Sequence, residues 1–202
     1  TDKNILEDIN LDIYQGDFLL ITGPNGGGKT SLLRTILRLQ SPTKGRISFF
    51  RQGEPVSSLD MGYLPQKNSI DSRFPITVEE VVASGLMGNT QKGNTKFDSK
   101  KEIDEMLDLM GITALRNKPI GVLSGGQLQR SLFGRALISK PEMLILDEPA
   151  SYIDRQFGNR MFEILRDLSS NGTTIMMVSH EIEPFITLSN RNLYINHILG
   201  DR

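Results

Sequence analysis

Three short apolar runs, residues 18–22, 143–146 and 174–178, are nearly free of polar positions. Runs of this length bounded by turn residues predict strands buried on both faces. Between them the apolar positions change to helical spacing. Leu32, Leu33, Ile36, Leu37 and Leu39 predict one helix, residues 127–137 a second that Lys140-Pro141 breaks, and Phe157, Met161, Leu165 and Leu168 a third that stops near Asn171-Gly172. Buried strands alternating with helices imply an α/β fold with a mainly parallel sheet and helices on its faces.

Elsewhere the pattern is looser. Residues 4–13 set Ile9, Leu11 and Ile13 against Asn10 and Asp12, which predicts a half-exposed antiparallel strand leading through Gln15-Gly16-Asp17 into the first buried strand. After a break at 41–45, residues 46–50 read as a strand followed by a polar turn. Residues 62–66 read as a short strand stopped at Pro65, and residues 191–199 as a closing edge strand.

The segment 67–122 has a different character. Residues 77–83 predict a helix with Thr77 and Glu80 at capping-box spacing, and residues 89–94 a loop. Ser99 and Glu102 would open a further helix whose Ile103, Met106, Leu107 and Met110 form one apolar stripe, ended by Gly111. Such a stripe reads as core packing. Helices set between two βα halves predict a helical subdomain at 67–122 inserted into a core made of 1–66 and 123–202, all within one domain spanning 1–202.

Bulk properties narrow the function classes. The chain has 202 residues and a formal net charge of −1, which gives no reason to expect nucleic acid as a partner. It has no cysteine and two histidines, which excludes disulfides and disfavours a structural zinc site, so His197 reads as a surface histidine. No apolar run approaches the roughly 18 residues of a membrane span, so any membrane association would run through a partner.

The candidate chemistry gathers where the predicted strands end, the edge at which open α/β sheets bind ligands. Gly23, Pro24, Asn25, Gly26, Gly27, Gly28, Lys29 and Thr30 fit the spacing G-x-x-x-x-G-K-S/T between a strand and a helix. There, glycines let backbone N–H groups wrap an anion at the positive end of a helix. Lys29 adds a charge for the β/γ-phosphates, and the Thr30 hydroxyl suits Mg²⁺. Asp147-Glu148 ends the second buried strand, so one carboxylate could hold Mg²⁺ and the other act on water, although an acidic pair there can also be a solvated turn. Ser124 and Gln127 stand at capping-box spacing, yet Gly125 and Gly126 inside the box suggest close approach of a phosphate to the backbone. Gln66 and the lone His180 carry little meaning individually.

Taken in order, residues 23–30, Tyr63-Leu64-Pro65-Gln66, Leu123 through Arg130, Leu144 through Pro149, Ser151-Tyr152-Ile153-Asp154 and Val178-Ser179-His180 resemble the nucleotide-binding subunit of an ABC transporter over the whole chain. The resemblance implies a P-loop NTPase core with an antiparallel N-terminal β portion and the helical insertion. It implies a Mg²⁺-dependent ATPase in which two copies sandwich two ATP molecules. Each nucleotide would lie between residues 23–31 of one copy, Ser31 included, and Ser124, Gly125, Gly126 and Gln127 of the other. Glu148 would be the catalytic base, and His180 would contact the γ-phosphate. Gln66 would sense metal and water, Lys29, Thr30 and Asp147 would serve phosphate and Mg²⁺, and Asp154 would support the dimer. The partners implied are integral-membrane permease subunits and, indirectly, a solute-binding protein, at the cytoplasmic face of the cell membrane.

Family members place an adenine-stacking aromatic upstream of the first strand. None precedes Tyr14, so that residue is expected outside the given sequence. Residues 74–82 are similar to ATPases of metal and metal-chelate uptake systems, and the small size and residues 193–197 resemble the zinc/manganese branch in particular, which implies import of a metal ion or metal chelate. The alternative is a soluble ABC ATPase acting on ribosomes or nucleic acid. The 67–122 insertion is too short for the coiled coil of DNA-repair members, and the chain holds one cassette where ribosome-acting members usually hold two.

Overall fold

The computed structural model describes residues 5–66, 75–87, 96–180 and 183–201. Strands β1 (Phe18–Thr22), β5 (Met143–Asp147) and β6 (Thr174–Val178) are the three apolar runs, and all but Thr22 are buried. With β4 (Met61–Leu64), β7 (Arg191–Asn196) and β8 (Ile198–Asp201) they form a six-stranded sheet in the order β4-β5-β6-β1-β7-β8. Every pairing is parallel except β7 with β8.

Alternate residues feed opposite faces, as strand geometry requires. Leu19 and Ile21 join α1 (Lys29–Ile36) through Leu32, Leu33 and Ile36 on one face. Eight residues make too short a helix to persist alone, so burial of these three side chains, about 1.5–3 kcal/mol each, is what holds α1. Phe18 and Leu20 face the other way. They share one core with α2 (Val78–Ser84), α3 (Lys96–Leu109), α4 (Gly125–Leu137) and α5 (Arg155–Ser170). The apolar stripe Ile103, Leu107, Met110 lies in that core, with Met106 packed against it.

Several boundaries differ from the sequence expectation. Residues 5–13 form no strand, although Leu6, Ile9, Leu11 and Ile13 do face the core and Asn10 and Asp12 face solvent. The alternation matches the burial, but among the described residues no strand pairs with this segment. The antiparallel β portion is instead a hairpin of β2 (Phe49–Arg51) and β3 (Glu54–Val56), so the 46–50 strand starts later and its polar turn leads into a second strand. Helix α1 stops at Ile36, Arg38 adopts a positive φ, and Leu39 lies exposed beyond the stripe. Helix α3 begins at Lys96, so Ser99 does not cap it. Residues 191–199 are not one edge strand: β7 pairs with β1 and β8, and β8 is the edge. The loop expected at 89–94 lies outside the described residues.

Two expectations hold in detail. Thr77 and Glu80 form a reciprocal capping box, and Gly111 takes φ 66 immediately after the turn that ends α3.

Candidate active site

The loop after β1 is moulded by its surroundings. Gly23 has φ 140, and a Cβ there would stand 2.0 Å from the Ile195 carbonyl oxygen, so only glycine fits. Lys29 is 6% exposed and bends back over its own loop, donating to the carbonyls of Gly23 at 2.8 Å and Pro24 at 2.9 Å. Burial lowers its pKa, opposed by the charges of Glu148 and Asp147.

Thr30 Oγ1 donates to Asp147 Oδ2 at 2.9 Å. Asp147 is 1% exposed, and its Oδ1 is buried with no hydrogen-bond partner. Desolvation pushes this carboxyl's pKa up, against the Thr30 hydrogen bond, which pulls it down. A buried carboxylate oxygen without a donor is costly, and a hard cation beside a threonine hydroxyl would offset that cost. The donor set therefore fits Mg²⁺.

Glu148 follows with φ 51, its N–H held by the Val178 carbonyl at 2.9 Å. Left-handed backbone at a non-glycine residue costs about 1–3 kcal/mol and tends to mark functional sites. His180 Nε2 stands 3.1 Å from Glu148 Oε1. Register explains the convergence: Leu64 pairs with Leu146, and Asp147 with Val178, so Gln66, Glu148 and His180 leave β4, β5 and β6 at one level. Gln66 is exposed there.

Ser124 through Gln127 lie elsewhere, at the start of α4. Ser124 and Gln127 do form the capping box, so that reading of the segment is correct, and the helix begins at Gly125 instead of Gln127. Among the described residues no hydrogen bond or ion pair joins this segment to residues 23–31. Gly126 has a reason that spacing could not reveal: a Cβ would sit 2.8 Å from the Tyr152 carbonyl oxygen of the same chain. Gly125 only touches the Tyr152 side chain, at 3.4 Å. Asp154 caps α5 and pairs with Arg130, whose guanidinium lies 4.5 Å above the Phe157 ring.

Two contributors escaped the sequence reading. Gln129 is buried and donates from Nε2 to the Pro149 carbonyl at 3.3 Å, tying α4 to the residue after Glu148. Its signal was a polar residue in line with Leu132, Phe133 and Ala136 on the apolar face of α4. The second is the turn at Ile195–His197, which touches the glycine loop from 170 residues away in the chain and left no sequence signal. A cleft of about 540 Å³ lined by Asp104, Asp108, Arg116 and Lys118 lies on the helical side, away from this edge.

The ABC transporter family model matches residues 6–151, well over half of the chain. The chain belongs to the ABC transporter family. The match takes in the glycine loop, Asp147 and Glu148. It is also 40% identical over 200 residues to a "Probable metal transport system ATP-binding protein" of Chlamydia pneumoniae, covering 97% of this chain and 81% of that one. With the zinc uptake system ATP-binding protein ZurA of Listeria monocytogenes it shares 37% identity over 205 residues, 98% and 77% of the two chains. Among solved structures, a dimeric post-hydrolysis ATP-binding cassette bound to ADP and Pi superposes with a TM-score of 0.83 at 25% identity, covering 98% of this ABC chain and 90% of that cassette. The architecture is that of the P-loop NTPases. No helix among the described residues is long and apolar enough to cross a membrane.

Proposed function

We propose that this ABC protein is the ATPase subunit that powers metal-ion import through a membrane permease. The chain is an ATP-hydrolysing enzyme of the family. The observation that carries the site assignment is the convergence of the Lys29 loop, the Thr30–Asp147 hydrogen bond and the Glu148–His180 contact on one sheet edge.

In this reading residues 23–31 cradle the triphosphate, and Lys29 exchanges its two loop carbonyls for β- and γ-phosphate oxygens. Thr30, Asp147 and Gln66 are the residues that would hold Mg²⁺. Among the described residues no cluster of three or more His, Asp or Glu offers a protein-only cage. Bound there, Mg²⁺ would neutralise charge on the transferring phosphoryl group. Glu148 accepts a proton from the attacking water. His180 orients that carboxylate through Nε2 and would contact the γ-phosphate. Because Ser124–Gln127 lie apart from the Lys29 loop, the far side of each nucleotide is closed by these residues of a second copy, with Asp154 and Arg130 bracing the contact. Residues 67–122 act as an inserted helical subdomain which receives the permease at the cytoplasmic face of the membrane. A solute-binding protein would deliver the cargo on the other side.

Metal import is supported by the names of the relatives, zinc and metal transport ATP-binding proteins. The test is co-purification with a multi-span permease from detergent-solubilised membranes, followed by metal uptake in vesicles loaded with ATP. A chain that stays with ribosomes, or vesicles whose uptake ignores Glu148→Gln, would overturn the transport reading.

A further inference from the structure

We propose that His197 is a positioning residue for the phosphate loop, acting through the peptide between Gly27 and Gly28. The inference rests on the assignment of residues 23–31 as the phosphate cradle. His197 forms the turn between β7 and β8 with φ 65. Its N–H donates to the Gly27 carbonyl at 2.9 Å, and its own carbonyl accepts from the Glu7 N–H at 2.9 Å. Its ring Nδ1 stands 3.0 Å from the Ile5 carbonyl oxygen. A carbonyl only accepts, so the proton is on Nδ1.

A peptide unit is planar and trans, so its C=O and N–H point in opposite directions. Holding the Gly27 carbonyl at the turn therefore aims the Gly28 N–H away from the turn, toward the hollow of the loop. The fit leaves little room for another arrangement. A Cβ at Gly27 would meet the Ile195 carbonyl oxygen at 2.8 Å, and one at Gly28 would meet the Leu6 side chain at 2.4 Å. His197 thus joins three pieces distant in sequence: residues 5–7, the glycine loop and the β7–β8 turn. The ring tie to Ile5 keeps the turn, and with it the Gly27 carbonyl, from drifting.

The experiment measures Kd for ATP, ADP and GTP by the purified chain with Mg²⁺, alongside kcat at saturating ATP and the Tm of the nucleotide-free protein. His197→Val places a β-branched residue at positive φ and should weaken ATP, ADP and GTP in parallel, by about fivefold to tenfold, with kcat nearly kept. His197→Gly keeps the backbone hydrogen bond and loses only the ring, so its rise in Kd should be about twofold to threefold. His197→Asn tolerates positive φ and retains a donor, and should restore wild-type affinity. A fall in Tm with unchanged Kd would make His197 purely structural and overturn the proposal. A loss in ATP and ADP that spares GTP would place the ring on the base and also overturn it. Lys29→Ala serves as the control. If it still binds nucleotide, the cradle assignment itself fails; if it does not while both His197→Val and His197→Gly are silent, only this inference fails.

Discussion

Thr30 Oγ1 donates to Asp147 Oδ2 over 2.9 Å, across 117 residues of chain, and joins the first turn of α1 to the end of β5. The bond satisfies one carboxylate oxygen and leaves the other, Oδ1, buried and unpaired. The charged form of Asp147 is thus costly until a cation meets it.

That cost has a sign in pH. The folded-state pKa of Asp147 is raised, so the folded protein holds this proton to higher pH than the unfolded chain does. Stability then falls as pH rises from the ordinary carboxylate range, about 3.9, through the folded value. Asp147→Asn removes this slope. The nucleotide-free variant should melt above the wild type at neutral pH, and the gap should narrow as the solution is acidified. Calorimetry across pH checks this, and a gap that widens on acidification would contradict it.

Glu148→Gln keeps shape and hydrogen-bonding reach but cannot accept the proton. Turnover should drop by about 10²–10⁴-fold while ATP binding remains. Phosphate release and nucleotide binding measured on the same preparation separate the two, and near-wild-type hydrolysis would remove Glu148 from the role of base.

The neighbouring glycines of α4 should respond differently. Gly126→Ala drives a methyl against the backbone of Tyr152 and should cost about 1–3 kcal/mol in denaturant unfolding. Gly125→Ala meets the Tyr152 side chain at ordinary contact distance and should leave stability nearly unchanged. If this helix start closes on the other copy's nucleotide, Gly125→Ala should nonetheless lower ATPase activity. Equal stability loss in both variants would refute the packing argument.

Thr77→Ala removes one half of the capping box at the start of α2, outside the residues assigned to the nucleotide. It should cost about 1 kcal/mol and leave Kd for ATP unchanged, as thermal melts and nucleotide titration can verify.

How much was legible in the sequence follows from which interactions are local. The buried strands, the capping boxes at Thr77 and Ser124, and the spacing of Gly23, Gly28, Lys29 and Thr30 depend on neighbours within a turn or two, so periodicity and motif revealed them. The sites on the β4, β5 and β6 ends could be anticipated because parallel sheets bring strand ends to one edge. What failed were features needing a specific distant partner. Residues 5–13 have strand alternation but pair with no strand among the described residues. Residues 191–199 fold back as a hairpin because β7 finds β1.

By itself, the sequence determined the family, the glycine-rich loop after the first buried strand and the order of the acidic and histidine residues behind it, since each is written in contiguous residues. Only the tertiary structure decided that Asp147 keeps an unpaired oxygen, that Gly126 is glycine because of Tyr152, and that His197 grips Gly27. The first depends on a side chain 117 residues away, and the other two on backbone carbonyls from other segments. Every residue carries the same carbonyl, so no pattern of side chains can say where one will arrive.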